Sequence, residues 1–95
     1  MKDKVERLLP VVDYDRASDV LYISLGRPRS DEGIDYSDGI VFRYGIEDNK
    51  PSGVSVSGFQ DFWWPQNKEK LALIISEHLP VAPQEIERAI AAAIS

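Results

Sequence analysis

The side chains that could do chemistry in this chain are few, and most come as carboxylates. Asp13, Asp15 and Asp19 follow one another closely enough to bring several oxygens to one loop, the ligand type that hard cations take. The pattern departs from an EF-hand loop, because Ala17 replaces a third ligand, Ser18 the turn glycine and Ser24 the bidentate Glu. Asp and Ser in a tight turn have backbone N–H groups to bond, so turn capping is the expected role and no metal is expected. Asp31, Glu32 and Asp35, with Arg27 or Arg43, are the set that a small enzyme or ligand-binding protein would use, provided the fold gathers them in a concave pocket.

His78 is the sole histidine and falls on an apolar helical stripe, so proton transfer would require a carboxylate and a nucleophile brought to it by folding. A packed or interface histidine is expected instead. Gly53-Val54-Ser55-Val56-Ser57 lacks the second glycine of a nucleophile elbow, which argues against a serine hydrolase at Ser52, Ser55 or Ser57. The glycines match neither a P-loop nor a dinucleotide fingerprint, so no cofactor is expected and no catalytic residue is assigned. The most unusual feature is aromatic. Phe59, Phe62, Trp63 and Trp64 put large apolar area at one corner, to cap the sheet or to meet another chain, and form the candidate interaction surface.

The elements that must position these groups read as α+β. Val11-Val12-Asp13-Tyr14 and Val20 to Leu25 are β-type runs joined by the turn-forming Asp15 to Asp19. Gly26 to Gly33 reads as a loop, with Ile34-Asp35-Tyr36 as a brief extension at an edge. Asp38-Gly39 marks a turn before Ile40 to Ile46, in which Ile40, Phe42, Tyr44 and Ile46 share a face, and Val54 to Phe59 alternates at the strand period. The simplest topology is a four-stranded antiparallel meander. From about Pro65 the period becomes helical: Leu71, Ile74, Ile75, His78 and Leu79 form one stripe, ended by Pro80. A second stripe from Pro83 holds Ile86, Ala89, Ile90, Ala93 and Ile94, and both helices are expected on one sheet face. The Ala-rich face at Ala89, Ala91, Ala92 and Ala93 would permit close packing of the last helix.

Ninety-five residues suit a single domain, here a β-part over 11–59 and a two-helix part over 65–94. A composition of 43% apolar and 28% charged residues is that of a globular chain. The net charge of −5 opposes nucleic-acid binding, and Arg27 and Arg29 form only a small local pair, not a basic stripe. Without cysteine there are no disulfides or thiolate sites, and with neither an apolar leader nor a run of membrane-spanning length the expected location is cytoplasmic.

Tyr14-Asp15-Arg16-Ala17-Ser18-Asp19-Val20-Leu21-Tyr22-Ile23, then Asp38-Gly39-Ile40-Val41-Phe42, then Gly53-Val54, resembles a small, mainly bacterial family catalogued as domain of unknown function 2283. The likeness covers about Val11 to Phe59 and rests most on Tyr14, Asp15, Asp19, Leu21 and Tyr22, with Asp38 and Gly39. Gly45 stands where the family pattern has an acidic residue after Tyr44, and Ser55 where its last strand has Glu. The resemblance implies a β-meander with helical additions and no established activity; some relatives look like the small partner in gene pairs with toxin-like proteins.

The expectation is therefore a non-enzymatic protein-binding or self-assembling module. Two copies could form a homodimer by burying a second sheet face around Val20, Tyr22 and Val41. An antitoxin-like partner of a small toxin and a small ligand-binding protein or enzyme using the acidic loop are the alternatives.

Overall fold

Runs of β-branched and aromatic residues separated by Asp, Gly and Asn turns build one antiparallel sheet in the computed structural model, which describes residues 10–26 and 30–95. Its strands are β1 (Pro10–Asp15), β2 (Val20–Leu25), β3 (Asp31–Ser37), β4 (Ile40–Gly45) and β5 (Pro51–Ser57), in the order β1-β2-β5-β4-β3. A π-helical turn (Phe59–Trp63), α1 (Lys68–His78) and α2 (Pro83–Ile94) follow. The chain is thus α+β, with five strands rather than the four expected, and it is not a sequential meander.

Two physical reasons account for the difference. Asp31–Ser37, expected as mostly loop, pairs with β4 along its length, its strand character masked by polar residues around Ile34 and Tyr36. β5 then folds back between β4 and β2 instead of lying at an edge. Its residues from Ser52 to Val56 are all buried, with valines on one face and small Ser and Gly on the other, a composition that suits a central strand. An acidic strand suits an edge, where its charges stay hydrated, and β3 takes that place.

Turn chemistry sets the registers. Asp38 and Gly39, both at positive φ, join Ser37 to Ile40 as a two-residue hairpin. In the centre of the sheet Gly53 faces Ser24 so closely that a Cβ would overlap the Ile23 carbonyl oxygen.

Leu21, Ile23, Phe42, Val54 and Val56 project to the helical side, where Leu71, Ile75, Ile86 and Ile90 cover them. Each such side chain contributes about 1.5–3 kcal/mol by leaving water. The first helix starts at Lys68, because Trp64 to Asn67 form a turn around the cis Trp64–Pro65 bond, so Pro65 precedes the helix instead of opening it. The second opens at Pro83 as expected, with Ala91, Ala92 and Ala93 on its exposed side. Ile46, expected on the core face, lies past the end of β4 and is exposed. No helix among the described residues is long and apolar enough to cross a membrane.

Candidate functional site

The hairpin between β1 and β2 is closed by its own carboxylates. Asp15 Oδ1 accepts the Ala17 N–H at 3.1 Å, an Asx turn. Asp19, at φ 57°, reaches further: its Oδ1 accepts the Tyr14 hydroxyl at 2.7 Å and the Gln60 N–H at 2.9 Å, and its Oδ2 the Asp61 N–H at 3.1 Å. Its carbonyl accepts from the Phe59 N–H at 3.1 Å. Asp19 therefore satisfies the orphan donors at the start of the π-helical turn and ties the hairpin tip to the aromatic corner. Those backbone donors, with the Tyr14 hydroxyl, hold its carboxyl below the usual carboxylate range, while the bond to Asp19 pushes the Tyr14 phenol up. Asp13 lies on β1 opposite Tyr22, away from this cluster.

The aromatic corner divides. Phe59 and Trp63 are fully buried, Phe59 between the Tyr14 ring at 5.4 Å and the Trp64 ring at 5.5 Å. Among the described residues Trp63 Nε1 is buried without a hydrogen-bond partner. Trp64 is half-buried under Lys68 Nζ, which stands 5.6 Å from its ring centroid, and Phe62 is 50% exposed. Of the four residues expected to form an interaction surface, Phe59 and Trp63 cap the sheet from inside, and only Phe62 and Trp64 can touch a partner.

Asp31, Glu32 and Asp35 are spread along β3 instead of converging in a loop. Asp31 faces Arg43 at 3.5 Å and accepts the Ser52 hydroxyl at 2.9 Å, across the irregularity between β4 and β5. Arg27 lies outside the described residues, as do Arg29 and the charged N-terminal segment.

The concavity beside β3 is mainly apolar, and of the three carboxylates Asp35 is the one among its lining residues. Ile34, Tyr36, Phe42 and Tyr44 floor a groove of about 310 Å³ on the helical side of the sheet, with His78 at its wall and Asn49 at its end. The His78 ring stacks on Phe42 at 4.1 Å and meets the edge of Tyr36 at 5.2 Å. Its Nδ1 lies 3.0 Å from the Ile74 carbonyl oxygen, which only accepts, so Nδ1 is the donor in this contact. The sequence reading missed this groove, although Ile34 and Tyr36, alternating within an acidic stretch, carry the period-two signal.

The opposite, helix-free sheet face carries a row running Asp13, Tyr22, Ser55, Val41, Asp35 across the five strands. Beside it stand Val20 and Val11, the latter 63% exposed. No family model, curated protein or solved structure matches the chain.

Proposed function

We propose that the chain is a non-enzymatic protein-binding or self-assembling module, distantly akin through its Tyr14 to Ile23 hairpin to the family it resembles. The observation that carries this reading is the helix-free sheet face. Tyr22 is 41% exposed at its centre, Val20 and Val41 are half-buried beside it, and Ser24, Ser55 and Ser57 fill the intervening positions with small side chains. A flat apolar centre with hydroxyls between and Asp13 and Asp35 at the rim suits contact with another sheet better than it suits turnover of a small molecule. Two copies related by a two-fold axis would cover Tyr22 and Val41 on both.

Light scattering and sedimentation across a concentration series test the self-assembling form. A reversible dimer is expected, with Tyr22→Asp monomeric but still folded by far-ultraviolet circular dichroism, and with a lowered unfolding temperature because it loses the stabilisation of assembly and sets a carboxylate opposite Asp13. A wild-type chain that stays monomeric at every concentration sinks self-assembly through this face.

A further inference from the structure

The edge strand β3 and its groove form a second surface, independent of the helix-free face. β3 ends the sheet, so alternate residues turn their N–H and C=O groups outward with no neighbouring strand among the described residues. Every residue from Glu32 to Ser37 is exposed, including Ile34 at 55% and Tyr36 at 45%, both on the side of the groove. A seven-residue strand of this kind is the template that an extended segment extends by main-chain pairing, with alternate side chains dropping into pockets.

Charge decides which segment fits. Asp31, Glu32 and Asp35 line the strand, Asp38 stands in its turn, and Glu47 and Asp48 sit in the turn whose Ile46 N–H bonds the Ser30 carbonyl at 3.1 Å. Among the described residues the cations at this edge are Arg43, engaged with Asp31, and Lys50, in the same turn as Glu47 and Asp48, so carboxylates outnumber cations there. A second copy pairing β3 antiparallel with β3 about Gly33 would set Asp31 of each copy against Asp35 of the other and bring two acidic strands together, which like-charge repulsion opposes. The same charge attracts an incoming strand that is basic.

We propose that β3 binds an extended basic segment of a partner protein as a sixth strand, its apolar side chains entering the groove over Ile34, Tyr36 and Tyr44 and its basic ones, on the opposite face, meeting Asp31 and Asp35. The groove side of the segment reads shape and the acidic edge reads charge. Main-chain pairing supplies affinity without demanding one sequence.

The probe is a seven-residue peptide of alternating Lys and Val, with a Glu and Val peptide as control, titrated into the isotope-labelled full chain. Amide shifts and slowed hydrogen exchange over 31–37 are expected, with ring shifts at Tyr36 and His78, all weakening as salt rises. The control peptide should leave β3 unmoved. Asp35→Lys, on the face that the basic side chains would meet, should weaken the Lys peptide by about tenfold and admit the Glu peptide. Tyr36→Ala, which leaves the charge intact, should weaken the Lys peptide and keep its salt dependence. The proposal is overturned if β3 stays silent up to millimolar peptide, if both peptides move it equally, or if its amides shift on concentrating the chain alone, which would mark a second copy as the occupant. None of these outcomes depends on whether Tyr22→Asp changes the oligomeric state.

Discussion

Asp19 joins segments about forty residues apart in sequence, since its carboxylate takes Tyr14 from the hairpin and Gln60 and Asp61 from the corner. Hydrogen bonds to a charged group of this kind contribute about 1.5–3 kcal/mol each when well shielded. This site is partly solvated, so Asp19→Ala should cost about 1–2 kcal/mol in urea unfolding, and Tyr14→Phe should lower the urea midpoint by less. Because the folded state holds the Asp19 carboxyl below its ordinary value, its contribution is present above about pH 4 and is lost as the pH falls through the depressed value. Tyr14 works in the other direction: its phenol is raised, so its contribution holds below about pH 10 and fades as the pH rises through the raised value. Asp19→Asn tolerates the left-handed backbone and should flatten the acid limb of the stability profile; an acid limb identical to the wild type would refute this role. At Trp63, replacement by Phe removes a buried donor that has no acceptor among the described residues, which offsets part of the packing lost, whereas Trp63→Ala should cost about 3–5 kcal/mol. Phe62→Ser, at an exposed position of the same turn, should stay within about 0.5 kcal/mol of the wild type by thermal unfolding.

Among the elements, β5 has the least freedom. It pairs with β2 and β4 at once, and Gly53 lies against the Ile23 carbonyl with no room for a methyl group. Gly53→Ala should therefore destabilise by about 3 kcal/mol, measured as a lowered urea midpoint, while the edge substitution Asp35→Asn should change stability little. A midpoint for Gly53→Ala equal to the wild type would mean that β2 and β5 can separate without cost. The helix boundaries follow local rules: α2 opens on Pro83, and α1 stops at His78, two residues before Pro80. The start of α1 does not. Lys68 begins it because Pro65 to Asn67 are spent turning the chain from the aromatic corner onto the sheet, and no periodicity records that turn.

At the scale of the whole molecule, two helices cover one face of a five-stranded sheet and leave two things uncovered: the face around Tyr22 and the β3 side of the helical face. The second follows from arithmetic. Two helices about 10 Å apart span about 20 Å with their side chains, whereas five strands about 4.8 Å apart span about 24 Å between them and their flanks. α2 lies along β1, and the end of α1 reaches β4 through the stack of His78 on Phe42, so the uncovered strip falls at β3. Ile90→Ala, at the buried face of α2, should cost about 2–5 kcal/mol and unfold sheet and helices in one transition by both far-ultraviolet and tryptophan signals. Separate transitions for the two probes would mean that the helices are not part of one core with the sheet.

Local chemistry was enough for the sequence to determine the α+β class, the two helical stripes, the Asp38-Gly39 turn and the use of Asp15 in closing its hairpin. Each depends on residues a few positions apart, where periodicity, turn residues and capping act directly. What only the tertiary structure decided was which strands lie side by side and what that juxtaposition creates. The place of β5 between β2 and β4, the reach of Asp19 to Gln60, the inward turn of Phe59 and Trp63, and the groove of Ile34, Tyr36, Phe42 and His78 all join residues distant in sequence. Their energies come from burying apolar area and satisfying buried donors across the whole sheet, and a strand's own residues do not specify which neighbour will share that burial.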